Sequence, residues 1–124
     1  MRTLENLGSE LIRTKLMIGE ELSLGQGTSR MVYQTKKGTL EGIRQSIFIV
    51  ALIEVGIQRY LIEEHIVKTV SKLSESRDEY IECMEKHLSG NPYSKGMVQY
   101  YNSAIKAVND NKEELLSFSC EQAH

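Results

Sequence analysis

Two pairs of residues in this chain repeat one spacing that metal chemistry uses. Cys83 is followed four residues later by His87, and Cys120 is followed four residues later by His124. Positions four apart on a helix project from one face, so each pair can offer one sulfur and one nitrogen to a tetrahedral ion. The four ligands together would make a Cys2His2 zinc site tying the third helix to the C-terminal tail. The same residues also fit a metal-free reading, with the cysteines as small half-buried hydrophobes and the histidines facing water. Zinc is the one cofactor the sequence suggests, and a chain without any cofactor is the simpler expectation. A disulfide between Cys83 and Cys120 is not expected in a reducing compartment.

A second pattern is Arg59-Tyr60-Leu61-Ile62-Glu63-Glu64-His65. An arginine with five residues between it and a histidine, in a small helical protein, resembles the catalytic motif of HEPN-type ribonucleases. That resemblance covers seven residues and implies a metal-independent ribonuclease in which Arg59 and His65 act on an RNA phosphate across a dimer. The polar residue this family carries just after the arginine is Tyr60 here. Six positions also separate the two side chains onto different faces of a regular helix. Without the nuclease, His65 is a solvated or ion-paired residue on a helix flank.

Other chemistry fails on geometry. Glu82 and Glu85 lie three apart, but a di-iron bundle needs a glutamate followed three residues later by histidine. Gly25-Gln26-Gly27 lacks both the third glycine of a dinucleotide fingerprint and the Gly-Lys-Ser/Thr of a phosphate loop. Glu20-Glu21 and Glu113-Glu114 read as solvated faces. The tyrosines of the segment 93–101, Tyr93, Tyr100 and Tyr101, are the candidate binding surface, since tyrosine offers contact area at small entropic cost.

Helices must position all of these residues. Thr3 can cap a first helix over 4–18, where Leu4, Leu7, Leu11 and Ile12 keep helical spacing and Gly19 is a natural stop. Residues 19–38 carry glycines at 19, 25, 27 and 38, and Arg30–Thr35 has some strand character, which allows a short β-hairpin within 20–38. From Leu40 to Leu73 the pattern predicts one long central helix. Ile43, Ile47, Val50, Ile53 and Ile57 form its stripe, while Phe48, Ala51, Leu52 and Val55 cover the remaining sides. A helix apolar all round belongs in a core or between subunits. Its full length of about 50 Å at 1.5 Å per residue exceeds what a small domain needs, so either Gly56 kinks it or part protrudes toward a partner. Ser76-Arg77-Asp78-Glu79 fits a capping box for a short third helix ending near Gly90. Asn91-Pro92 then restarts the chain into a last helix striped by Met97, Tyr101, Ala104, Ile105, Val108, Leu115 and Leu116.

The totals agree with this architecture. The chain of 124 residues is 40% hydrophobic and 26% charged, with a formal charge of −2. The expected fold is all-α, a four-helix bundle or irregular helical domain with one long central helix, in a single domain over 1–124. Near-neutral charge gives no general drive toward nucleic acid. The longest uncharged apolar run, 47–53, is far short of the roughly 20 residues that span a bilayer, so no membrane role is expected. The N-terminus lacks the apolar run of a secretory signal, and two cysteines fit a reduced cytoplasmic protein. The functional expectation is a non-enzymatic protein that binds another macromolecule, an inhibitor, adaptor, immunity protein or small assembly subunit. It would contact a protein partner through helical surfaces and form a homo-oligomer.

Overall fold

The computed structural model describes residues 2–25, 29–86 and 92–121, and these form four helices: α1 (Leu4–Leu24), α2 (Arg30–Glu54), α3 (Arg59–Lys86) and α4 (Pro92–Phe118). Thr3 caps α1 as expected, its hydroxyl accepting from the Asn6 amide at 3.1 Å. The helix does not stop at Gly19; it runs on to Gly25, whose φ of 59° supplies the left-handed cap. Among the described residues of 20–38 the expected hairpin does not form, because Arg30–Thr35 are the opening turns of α2, capped by the Ser29 hydroxyl on the Val32 amide. Propensity for strand in six residues loses to a cap and to packing over a 25-residue helix. Gln26 and Gly27 lie outside the described residues.

The long central helix is in fact two. After Glu54 the Ile57 amide bonds to the Leu52 carbonyl and the Gly56 amide to the Ile53 carbonyl, both at 3.0–3.1 Å. With Gly56 at φ 86°, this is a Schellman termination, and Leu52 and Ile57 pack against the core across it. Gly56 therefore ends a helix instead of bending one. The second half continues far past its expected end, so Ser76–Glu79 lies inside α3 and caps nothing. Pro92 does open the last helix.

Neighbour pairs fix the helix directions. Gly8 faces Val50 and Glu21 pairs with Lys36 at 3.0 Å, so α1 runs antiparallel to α2. Gly38 lies against Tyr100, Gly42 against Ala104 and Ala107, and Asn111 donates to Ser46, so α2 and α4 run parallel. Arg59 donates its amide to the Cys120 carbonyl while Arg77 reaches Asn102, so α3 is antiparallel to α4. The most extensive contact is α2 on α4, followed by α3 on α4 and α1 on α2, whereas α2 and α3 barely meet. The bundle is thus built around the α2–α4 pair, with α1 packed on α2 and α3 on α4.

That pair is close because its facing residues are small. A Cβ at Gly38 would stand 2.0 Å from the Tyr100 carbonyl oxygen, and one at Gly42 would stand 2.4 Å from the Ala107 methyl. Ser46 continues the row, fully buried, donating to the Gly42 carbonyl at 2.9 Å and accepting from the Asn111 amide at 3.3 Å. The large aliphatic core sits toward one end: Leu7 and Leu11 of α1, Ile43, Ile49, Val50 and Ile53 of α2, Ile62 and Ile66 of α3, and Val108, Leu115 and Leu116 of α4. At the far end tyrosines hold α3 to α4.

Candidate functional site

The cysteines do not converge. The Cys120 carbonyl is bonded to the first residue of α3, whereas Cys83 lies one turn before its last residue, so about 36 Å of helix separates them. Both thiols are free, Cys83 half-buried and Cys120 exposed. One ion cannot be held by both, which corrects the expectation of a site joining the third helix to the tail. His87 and His124 lie outside the described residues. Among the described residues no cluster of three or more histidine, cysteine or carboxylate side chains is placed to hold a metal ion.

Arg59 and His65 also part company. Arg59 turns toward Glu63, at 3.1 Å, and Glu121 in the C-terminal segment, at 3.6 Å. His65 lies on the other flank of α3, its ring 5.4 Å from that of Phe48 on α2 and Nε2 3.5 Å from the Thr69 hydroxyl. Burial, followed by repulsion from Lys72 and Lys68, holds the imidazole pKa below its ordinary value. Within one chain the two residues of the nuclease-like motif face different neighbours, as their spacing of six dictates.

Tyr93, Tyr100 and Tyr101 do come together, joined by Tyr80 of α3, which the sequence reading did not group with them. Tyr80 stacks on Tyr101 with centroids 6.0 Å apart and meets Tyr93 edge-on at 6.0 Å, while Tyr100 and Tyr101 meet edge-on at 5.0 Å. A hydrogen bond with Tyr93, then burial, raises the Tyr80 pKa; burial, then Glu41, raises that of Tyr100. The cluster packs the far ends of α3 and α4 together, and Tyr93 remains half-exposed.

A ridge of exposed apolar side chains lies on α2, opposite its glycine face. Phe48 is 51% exposed and Val55 74%, and Ala51 between them is also exposed. With Arg44 these residues follow a 4-3-4 spacing, which at 100° per residue keeps them within about 60° of arc. Ile47 and Leu52 border the stripe, partly buried against the core. Arg44 extends outward, paired with Glu41 through two hydrogen bonds of 2.7 and 2.9 Å. The depression along this ridge is lined by Arg44, Gln45, Ile47, Phe48 and Ala51. Ile12 and Leu16, one turn apart on α1, make a shorter exposed apolar pair, and Met17, Met31 and Val32 are also exposed.

Nothing in the ridge can do covalent chemistry. It has no nucleophile beside a base and no paired carboxylates; its offering is apolar area on a rigid helix, with an ion pair at one end. The sequence did single out its residues, since Phe48, Ala51, Leu52 and Val55 are those that make the helix apolar all round. The Gly38-Gly42-Ser46 row escaped the sequence reading, although small residues recurring every four positions are its signal.

No family model matches this chain, and no curated protein or solved structure matches it either. Among the described residues no helix is long and apolar enough to cross a membrane.

Proposed function

We propose that this is a non-enzymatic binding protein, cytoplasmic and oligomeric, of the inhibitor, adaptor, immunity or assembly-subunit kind, and that the outer ridge of α2 is its protein-contact surface. The observation that carries the reading is the exposure of Phe48 and Val55 on a helix whose opposite face is fully buried. An exposed apolar side chain is ordinary when single, but an aligned set on one rigid helix marks a contact surface.

The test is affinity capture of tagged protein from the source cells, alongside untagged copies of the same chain. A polypeptide should be retained in near-stoichiometric amount, whether a second copy or a different chain. Phe48→Glu should release it. Tyr60→Glu, at a side chain half-exposed on α3 away from the ridge, should keep it. No stoichiometric companion, or full retention by Phe48→Glu, overturns the reading. RNA cleavage by the purified protein that is abolished by His65→Ala would overturn the non-enzymatic part.

A further inference from the structure

We infer that the occupant of the α2 ridge is a second copy of this chain, paired antiparallel about a twofold axis between Phe48 and Ala51. The inference rests on the ridge being a contact surface, and it names the partner. Three features of the ridge select a copy.

The first is its period. Arg44, Phe48, Ala51 and Val55 stand at intervals of four, three and four, the spacing at which one helix keeps a single seam against another. The seam is about 17 Å long, three turns, which suits a helix crossing at a shallow angle.

The second is shape. In an antiparallel pairing Phe48 lies over the partner's Ala51, and Ala51 under the partner's Phe48. A large side chain then fills the space left by a small one twice, from a single sequence. A parallel pairing stacks Phe48 on the partner's Phe48 and leaves two alanines facing a gap, which loses dispersion contacts.

The third is charge. Both signs border the ridge, as the Glu41–Arg44 pair on α2 and the Glu64–Lys68 pair on α3, so no strongly charged partner is favoured. The antiparallel pairing also sets Arg44 opposite the partner's Val55, with exposed Glu54 of the partner next to it. The arginine stem can cover the valine while its head meets the carboxylate. An isologous contact of this kind closes on itself and leaves no open end for fibre growth.

Sedimentation and short-range cross-linking test it. The purified chain should sediment as a dimer at micromolar concentration, and Phe48→Glu should sediment as a monomer with an unchanged helical circular dichroism spectrum. In a Cys83→Ser/Cys120→Ser background, Ala51→Cys should cross-link to its copy through a short bismaleimide. Lys37→Cys should not, because antiparallel pairing puts it about 37 Å from its counterpart along the axis. Cross-linking at both positions would overturn the antiparallel arrangement. A dimer that cross-links at neither would place the contact on another face and overturn the inference. A monomer would overturn it too; retention of a different chain that Phe48→Glu releases would then leave the contact-surface reading standing.

Discussion

The two faces of α2 reverse the usual relation between residue size and burial. Toward α4 the helix presents Gly38, Gly42 and Ser46, all buried; toward solvent it presents Phe48 and Val55, both more than half exposed. The buried face is small because backbone meets backbone there. The exposed face is large although, among the described residues, the His65 ring that meets Phe48 leaves that side chain half exposed. Burial alone would favour the opposite assignment, since removing a large apolar side chain from water yields about 25 cal/mol per Å². The difference teaches that one face is committed to the fold and the other is available for a contact outside it.

The strongest way to break this contrast is to enlarge the small face. Gly38→Ala puts a methyl 2.0 Å from a carbonyl oxygen on α4, where the obstacle is backbone and cannot rotate away. It should cost about 3 kcal/mol, the upper part of the overpacking range, read as a lowered urea midpoint. Gly19→Ala is the internal control, a mid-helix glycine whose Cβ would meet nothing within 4 Å. It should stabilise the protein by roughly 0.5–1 kcal/mol, from helix propensity. Equal effects at the two positions would dispose of the close-approach argument.

Asn111→Ala comes next. Its amide donates to the Ala107 carbonyl at 2.9 Å and to the buried Ser46 hydroxyl. Removing it leaves the Ser46 oxygen without that donor at the α2–α4 seam, at a cost of about 1 kcal/mol. Phe48→Ser, by contrast, should change the stability of the dilute monomer by less than about 1 kcal/mol, as an exposed position does, while abolishing association. A loss of several kcal/mol in dilute solution would mean that Phe48 belongs to the core and that the two faces are not divided as described.

How much of this was legible in the sequence depends on what each signal measures. The start of α1 at Thr3 and of α4 at Pro92 was readable because capping and proline chemistry act within one turn. Gly19 and Ser76 misled for the same reason: they carry local signals for ends, but packing along the helix carried both segments through. Gly56 was recognised as a divider, yet whether a glycine kinks a helix or ends it depends on Leu52 and Ile57 meeting across it, which needs the third dimension. Cys83 and Cys120 looked alike by spacing, but sequence spacing within each pair says nothing about the distance between pairs. Phe48, Ala51 and Val55 were found as apolar residues on the remaining sides of the helix, for a core or a subunit contact, but that they stay exposed in the single chain needed the fold. Gly38 was read as punctuation and Gly42 passed without notice, because a glycine that breaks a chain and one that admits another backbone look the same in one dimension.

The smallest expected effect concerns the boundary between the ridge and α3. His65 is covered on one side by Phe48, and Lys68 and Lys72 of its own helix oppose its protonation. Its pKa lies below the ordinary 6.5 for burial first and the two lysines second. The unfolded chain then takes up a proton more readily than the folded one between the two values. The stability tied to neutral His65 is complete above pH 6.5 and is lost as pH falls through the lower, folded value. Lys72→Gln should move the imidazole titration, followed by NMR, part of the way back up. Phe48→Ser should move it further, since uncovering the ring removes the leading cause. Covering the ridge with a second copy should push it lower still, so the titration should depend on protein concentration in the wild type and not in Phe48→Glu. A His65 that titrates at or above 6.5 in every variant would show that its ring stands free in water, and that Phe48 does not shelter the α2–α3 edge.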